Sequence, residues 1–311
     1  MIKILLLGDV IIDEYVYGSV NRISPEASVP ILNIYSKKKM VGGVNNVGKI
    51  LDLASVDYEM VYIKNQSDSL KLNFCKKRHP ISLGNYRWPV KTRYVSNFKN
   101  SHLLRVDDET EIKVSKDDQN LILKEIIKKI NESDLIAISD YNKGLISSCM
   151  LQEIIEYCNV NQKKVIIDTK KSSSINLNGV YLYKPNKYEF NIVSDRIHYE
   201  NETIDNSALR FKNKVGLKNI LITDGDKGCT LYGENNIIMR ANTRATEVRE
   251  VSGAGDSVFA SIIISIAHNF NQQEMLDMAM DVAAATIKYS PFEEREIYDE
   301  YIRIFQNKKI I

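Results

Sequence analysis

Short apolar runs that each lead into an aspartate recur along this chain and constrain its fold. The runs are residues 4–7, 135–139, 164–167 and 220–223, and the aspartates beyond them are Asp9, Asp140, Asp168 and Asp224. Such short, continuously apolar runs are typical of strands buried on both faces of a parallel sheet. Residues 119–130 and 150–158 have helical apolar spacing and alternate with these runs. The pattern predicts an α/β fold of three layers, with a mostly parallel central sheet between helices.

Length and charge narrow the class of protein. A chain of 311 residues suits one large α/β domain with a small β appendage. Lys and Arg total 42 against 40 Asp and Glu, and no dense basic block occurs, which argues against a nucleic-acid surface. The four cysteines form no Cys-x-x-Cys pair, and we find no basic leader or membrane-length apolar stretch. We therefore expect a reduced, cytoplasmic protein without membrane contact.

The segment Gly253-Ala254-Gly255-Asp256 leads into the apolar run 259–267, which predicts a buried helix from about Asp256. Glycines allow backbone N–H groups to approach a ligand, and a helix N-terminus favours bound anions. A carboxylate beside an anion site disfavours simple binding, so we interpret Asp256 as a base that accepts a proton from an attacking hydroxyl. An ordinary loop with a capping Asp is the alternative.

A second group of residues is predicted to hold substrate hydroxyls. Asp13 lies beyond the first strand, where ligands gather at the carboxyl edge of an open α/β sheet. Gly42 and Gly43 form a turn into a helix whose first turns carry Asn46, which suits close approach to a polar ligand. Asp13 could equally be a capping residue.

Alternating residues at 15–35, 91–95 and 103–107 predict β-structure that projects from the core. If this structure closes over the site, Lys91, Arg93 and Arg105 would offer positive charge to a substrate phosphate. A plain surface hairpin is the simpler interpretation.

Two further motifs suit a nucleotide. Asn186 and Glu189 are three residues apart near a predicted helix start, so both side chains could organise Mg²⁺ through water. A Pro-Asn helix cap is the alternative. The turn at residues 224–228 fits either a nucleotide contact or a hairpin.

Together these motifs resemble the ribokinase-like, or phosphofructokinase B, family of sugar kinases. Its C-terminal signature is similar to residues 250–256, its N-terminal signature to Gly42-Gly43-x-x-Asn46, and its Asn-x-x-Glu motif to Asn186 and Glu189. Within the family, residues 21–30 (Asn-Arg-Ile-Ser-Pro-Glu-Ala-Ser-Val-Pro) and 139–144 are similar to the bacterial D-glycero-β-D-manno-heptose-7-phosphate kinases. No His-x-Gly-His motif of the nucleotidyltransferase fused to many of them occurs, so we expect a stand-alone kinase domain.

The resemblance implies a ribokinase-like fold, ATP and Mg²⁺ as cofactors, a monovalent cation as a further candidate, and a β lid at residues 14–36 and 86–107 through which a homodimer forms. The implied catalytic residues are Asp256 as base and Gly253, Ala254 and Gly255 as the anion hole. The implied nucleotide and metal residues are Asn186, Glu189, Thr223, Gly225, Gly228 and Ser252. The implied sugar ligands are Asp13, Gly42, Gly43, Asn46 and Asp140, with Arg105, Lys91 and Arg93 for the substrate phosphate.

The implied activity is ATP-dependent phosphorylation of the anomeric hydroxyl of D-glycero-D-manno-heptose 7-phosphate in lipopolysaccharide or capsule heptose synthesis. The chain departs from the family pattern at Glu250, where Asp is usual, at Val44-Asn45, and at Pro291-Phe292. A kinase for another sugar, sugar phosphate or nucleoside and a non-catalytic sugar- or nucleotide-binding regulator are the alternatives.

Overall fold

The computed structural model describes residues 2–65, 73–84, 86–97, 101–109, 114–171, 175–194 and 202–311. The strands in these ranges are β1 (Ile4–Gly8), β2 (Val10–Ile23), β3 (Pro30–Gly43), β4 (Tyr58–Asn65), β5 (Arg78–Leu83), β6 (Val90–Ser96), β7 (His102–Asp108), β8 (Leu135–Asp140), β9 (Lys164–Thr169), β10 (Leu182–Tyr183), β11 (Asn219–Thr223), β12 (Cys229–Tyr232) and β13 (Ile238–Ala241). The α-helices are α1 (Val44–Leu53), α2 (Lys116–Asn131), α3 (Ser148–Val160), α4 (Lys187–Ser194), α5 (Ile204–Val215), α6 (Ala254–Ala267), α7 (Gln272–Lys288) and α8 (Glu294–Asn307).

Nine of the described strands form one sheet in the order β13, β12, β11, β10, β9, β8, β1, β4, β5. Strands β11 to β5 in this order pair in parallel, and β12 and β13 add an antiparallel edge. The chain extends the sheet to one side of β1 with β4 and β5, and to the other with β8 and the strands after it. The carboxyl edge between β1 and β8 is therefore a topological switch point, where open α/β sheets bind ligands.

Alternate residues of β1 enter two separate hydrophobic cores, one on each face of the sheet. Ile4 and Leu6 pack in the core that includes α6 and α7, whereas Leu5 and Leu7 pack in the core that includes α2 and α3. All four side chains are fully buried, and each contributes about 1.5–3 kcal/mol to folding. This arrangement confirms the predicted α/β fold with a sheet between two helical layers.

The lid is a separate four-stranded sheet in the order β3, β2, β6, β7. Strand β2 follows β1 after one residue, and β3 runs directly into α1. The lid is therefore connected to the main sheet at the switch point. In its register Asp13 lies beside Lys91 and Tyr15 beside Arg93, which places the four side chains on one face.

The turn after β11 forms a hairpin, because β11 and β12 pair antiparallel with Thr223 opposite Cys229. A short 3-10 helix at Gly225–Lys227 makes the connection. Among the helices of the described ranges, none has the length and apolar character needed to span a bilayer.

Candidate active site

Asp256 is the third residue of α6 and lines a cavity. Its carboxylate is 4% exposed. Asn46 Nδ2 donates to Oδ2 at 2.8 Å, and the Tyr141 hydroxyl donates to Oδ1. Burial raises the pKa of Asp256 to about 6, while the hydrogen bonds from Tyr141 and Asn46 lower it. Asp256 is thus a buried carboxylate with a pKa close to neutrality, as a general base requires.

The N-terminus of α6 is open to a ligand. Gly253 is its N-cap with φ +82°, and no side chain of the described residues caps the helix. A Cβ added at Gly255 would meet only Lys184 Nζ, at 3.9 Å. Lys184 is buried and pairs with Asp168 Oδ2 at 2.8 Å. The helix end and a buried lysine therefore lie around the same space, which is suited to an anion.

The two glycines of the N-terminal motif provide room for side chains around Asp13. A Cβ at Gly42 would overlap Asp13 Oδ2. Gly43 has φ +64°, and a Cβ there would overlap the backbone oxygen of Asp9. Glycine is therefore required at position 43, where the backbone of Asp9 passes closely, and a larger residue at position 42 would displace the Asp13 carboxylate.

The lid contributes two cations to the cavity, and they differ in their partners. Arg93 Nη1 pairs with Asp13 Oδ1 at 2.6 Å, and its guanidinium packs over the Tyr15 ring. Lys91 has no ion pair among the described residues and lies 5.8 Å from the centre of the Tyr141 ring. Burial lowers the pKa of Lys91. Within the described residues Lys91 thus lacks a salt bridge, whereas Arg93 holds Asp13.

These residues surround a cavity of about 190 Å³. Of the residues predicted from the sequence, the structure brings together Asp13, Gly43, Asn46, Lys91, Arg93, Ser252, Gly253 and Asp256 around it. Those that do not line it are Gly42, Arg105, Asp140, Asn186, Glu189, Thr223, Gly225, Gly228, Ala254 and Gly255. Gly42 lies directly behind Asp13, and Ala254 and Gly255 are the first two residues of α6.

Two predicted sugar-site residues have other partners. Arg105 is exposed on β7, where its Nε pairs with Asp107 Oδ1 at 2.9 Å. Asp140 is 3% exposed; its Oδ2 accepts from Thr169 Oγ1 at 2.6 Å and its Oδ1 from Lys171 Nζ at 2.8 Å. The structure thus corrects the prediction that Asp140 faces the sugar, because a buried ion pair satisfies its carboxylate.

Asn186 and Glu189 form a reciprocal helix cap at α4. The Asn186 side chain accepts from Glu189 N at 2.8 Å, and Glu189 Oε2 accepts from Asn186 N at 2.9 Å. The other carboxylate oxygen of Glu189 accepts from Lys170. The alternative of a capping motif is thereby confirmed, although a carboxylate so fixed still has lone pairs for the water shell of a metal ion.

Two of the residues predicted for the nucleotide, Thr223 and Gly225, lie at and just after the end of β11. Thr223 pairs with Asn186 through an isolated parallel bridge, so the two motifs are neighbours. Gly225 has open space around its Cα, whereas Gly228 has φ +86° and a Cβ there would overlap Ala241. Ser252 Oγ donates to Glu250 Oε1 at 2.9 Å. The open side of Gly225 and the neighbouring Asn186 are available to a ligand.

Sequence reasoning missed Tyr141, Lys184 and Asp9. The motif that contains Tyr141 was recognised, but its contact with Asp256 spans 115 residues and no local pattern encodes it. Lys184 precedes the Pro-Asn pair of the predicted helix cap, and Asp9 follows the first strand as one of the sheet-end aspartates. A lysine within an otherwise buried strand end was the available signal for Lys184.

Comparison with known proteins decides the family. The model of the pfkB family carbohydrate kinases matches residues 90–291. The chain belongs to the pfkB family of carbohydrate kinases. It is accordingly an ATP-dependent sugar kinase.

Curated relatives match over almost the whole chain. The bifunctional protein HldE of Aliarcobacter butzleri is 30% identical over 295 residues, which are 92% of this chain and 60% of that protein. HldE of Sulfurimonas denitrificans is 30% identical over 310 residues, or 94% and 64%. The chain thus spans about three fifths of the length of these relatives.

Solved structures share the fold. Phosphofructokinase-2 from Escherichia coli in complex with fructose-6-phosphate has a TM-score of 0.75 at 14% identity, with 99% of each chain covered. Ribokinase from Thermotoga maritima has a TM-score of 0.70 at 17% identity and covers 97% of this chain and 100% of its own. The fold is therefore ribokinase-like.

Proposed function

We propose that this kinase transfers the γ-phosphoryl group of ATP to the anomeric hydroxyl of D-glycero-D-manno-heptose 7-phosphate, giving the 1,7-bisphosphate. The observation that carries the proposal is that buried Asp256, in the first turn of α6, lines a cavity under the lid together with a lysine that forms no salt bridge within the described part of the chain. The similarity to the HldE proteins and the heptose-kinase motifs at residues 21–30 and 139–144 support this sugar.

In the proposed reaction Asp256 accepts the proton of the anomeric hydroxyl. The sugar oxygen forms a bond to the γ-phosphorus, and the bond between that phosphorus and the β–γ bridging oxygen breaks with its electron pair left on ADP. The N–H groups at Gly253 to Gly255 and the Lys184 ammonium lie where negative charge on the transferred group would be stabilised. Most of the rate enhancement would come from positioning and electrostatics.

Asp13 is proposed to hold sugar hydroxyls. Its pairing with Arg93 at 2.6 Å fixes the carboxylate while its other oxygen faces Gly42. Because a carboxylate accepts several hydrogen bonds, Asp13 can bind the sugar without releasing Arg93. Asn46 would orient both Asp256 and the substrate.

Lys91 is proposed to bind the 7-phosphate, because it lines the cavity and forms no salt bridge among the described residues, although the carboxylates of Glu109, Asp107 and Asp13 lie near enough to act on its charge. The variant Lys91→Met should raise the KM for the sugar phosphate at least tenfold and leave the KM for ATP unchanged. Arg105→Met is the matched control, since Arg105 lies on the neighbouring strand but pairs with Asp107. An equal loss in both variants, measured by initial rates, would contradict the assignment to Lys91.

Magnesium is proposed to bind through water beside Asn186 and Glu189. Asp168 Oδ1 is buried without a hydrogen-bond partner in the described residues. Asp168 and Glu189 both interact with the Lys170 charge, so the three form one charged cluster. A water molecule from the shell of the ion could donate a hydrogen bond to the unpartnered oxygen. The site suits a hydrated ion, because Lys170 and the backbone N–H of Asn186 already donate hydrogen bonds to the two carboxylate oxygens of Glu189. Magnesium would neutralise the phosphates of ATP.

A monovalent cation is proposed as an accessory cofactor. Rates measured with and without K⁺ would test it.

The lid is the proposed interface of a homodimer. The cytoplasm is the proposed location of the protein. Strand β7 is exposed along its whole length, and the apolar side chains Leu104 and Val106 on it are 58% and 43% exposed. Two exposed apolar residues on an open sheet edge are suited to cover by a second copy.

A substrate panel tests the proposed function. ADP release should be measured with magnesium-ATP and D-glycero-D-manno-heptose 7-phosphate, fructose 6-phosphate, sedoheptulose 7-phosphate and ribose. We expect selective turnover of the heptose phosphate. Turnover of another sugar alone would retain the mechanism and overturn the substrate, and no turnover on the whole panel would support a regulator.

A further inference from the structure

Tyr141 contacts the proposed base Asp256, which is 115 residues away in the sequence. It follows β8 directly and lines the cavity. Its hydroxyl donates to Asp256 Oδ1, opposite the Asn46 bond to Oδ2, so each carboxylate oxygen has one fixed donor. These two donors come from different elements and leave the carboxylate one orientation in which both bonds form.

Buried Asp9 holds the backbone that carries Tyr141. Asp9 Oδ2 accepts from the N–H groups of Tyr141 and Lys143 at 3.0 and 2.9 Å, and Oδ1 accepts from Leu145 at 3.0 Å. Asp9 is 1% exposed. A buried carboxylate with three backbone donors is expensive to form, and here it fixes the segment that places a hydroxyl on the base.

We propose that Tyr141 is a positioning residue that orients the carboxylate of Asp256 and keeps it ionised, and hence able to accept a proton, near neutral pH. The inference rests on the proposed role of Asp256 as the base. A hydroxyl bonded to the charged form of a carboxylate stabilises that form, which opposes the effect of burial. Burial raises the pKa of Tyr141 well above its ordinary value, so the hydroxyl remains a donor throughout the working range.

Other charged and titratable groups act on Asp256, and a change at Tyr141 leaves them in place. Asp168 on β9 raises the pKa of Asp256, and Lys184 after β10 lowers it. Lys170 after β9 and Tyr301 on α8 also interact with the Asp256 charge, and Asp13 on the lid acts on Tyr141. Removing one hydroxyl therefore isolates the contribution of Tyr141.

The test compares Tyr141→Phe with Tyr86→Phe. Tyr86 is the matched control because its buried hydroxyl donates to Lys143 O in the same segment and does not bond Asp256. In Tyr141→Phe, the acid limb of kcat/KM against pH should shift upward by about one unit, the size expected for one bond to a charged group. Tyr86→Phe should keep the wild-type limb, and an unshifted limb in Tyr141→Phe would overturn the proposal.

A readout without turnover separates this inference from the proposed function. In protein labelled with 13Cγ-aspartate, the signal lost in Asp256→Asn identifies Asp256, and its titration gives the pKa directly. The Tyr141→Phe midpoint should lie about one unit above that of the wild type whatever the sugar is. Incorporation of 3-fluorotyrosine at 141, which keeps the hydroxyl and makes it a stronger donor, should move the midpoint downward. Equal midpoints in all three proteins would refute the role.

Discussion

At the level of single residues, ionisation of Asp256 is required by the proposed reaction but lowers the stability of the fold. Its pKa of about 6 in the folded protein lies above the value of 3.8 for an exposed Asp. Between these values the folded state binds more protons than the unfolded chain, so this group makes stability fall as pH rises from about 4 to 6. Above pH 6 the ionised base therefore destabilises the fold.

The variant Asp256→Asn should lose most turnover, by about 10³-fold or more, and retain ATP binding, because only the proton acceptor is removed. It should also be more stable than the wild type at pH 7.5, by up to about 3 kcal/mol, because no buried charge remains. Urea unfolding at pH 7.5 and at pH 4.5 checks this, with a clearly smaller gain at the lower pH. Near-normal turnover would contradict the role of base, and an equal gain at both pH values would contradict the electrostatic cause.

At the level of secondary-structure elements, substitutions at the N-terminus of α6 should distinguish effects on folding from effects on ligand binding. Gly255 lies inside the helix with room for a Cβ beside Lys184, whereas Gly253 has φ +82°. Gly255→Ala should fold as well as the wild type but lose most turnover and weaken ATP binding, because its methyl group enters the anion space. Gly253→Ala is the comparison variant and should lose about 1 kcal/mol of stability to backbone strain. Thermal unfolding and ATP titration of both variants check this, and full activity in Gly255→Ala would place the phosphate elsewhere.

Two contacts between the lid and the main body involve Glu250 and Phe292, which the family resemblance marks as departures from its pattern. His102 Nε2 lies 3.2 Å from Glu250 Oε2, and the Phe292 ring packs against Tyr15 at 5.0 Å between centroids and under Lys38. Glu250 and Phe292 thus have partners on the lid. The longer Glu side chain at position 250 has the reach to contact β7.

Removing one of these contacts should loosen the closed lid. His102→Ala is expected to raise the KM for the sugar phosphate about 3- to 10-fold and to increase ATP hydrolysis in the absence of sugar, since lid closure excludes water. His79→Ala is the control, because His79 makes a similar contact with Glu59 at 3.5 Å on the distant edge strand β5. Identical kinetics in the two variants would show that the contact does not hold the lid.

The sequence predicts secondary-structure elements better than it predicts which side chains contact one another. The apolar runs of β1, β8, β9 and β11 lie where expected, because full burial leaves a strong local pattern. Strands β4 and β5 were not predicted, since polar residues interrupt their apolar patterns. Asp13 and Asp140 looked equivalent as sheet-end aspartates, yet long-range partners decide that one faces the cavity and the other pairs with Lys171.

At the scale of the whole molecule, the exposed lid predicts assembly. The double variant Leu104→Glu/Val106→Glu should be monomeric where the wild type is a dimer, because four charges would meet in a symmetric interface. Val160→Glu is the control, since Val160 is 82% exposed on α3, away from the lid. Sedimentation equilibrium gives the masses, and a wild-type monomer, or a double variant that remains dimeric, would contradict the interface.

The central claim is that Asp256 directs phosphoryl transfer to an anomeric hydroxyl. The most direct measurement is phosphorus NMR of the product formed from D-glycero-D-manno-heptose 7-phosphate and magnesium-ATP by the wild type and by Asp256→Asn. We predict a second sugar phosphate signal, coupled to the anomeric proton, with the wild type and none with the variant. A new phosphate on any other carbon, or the same product in equal yield from Asp256→Asn, would contradict the account.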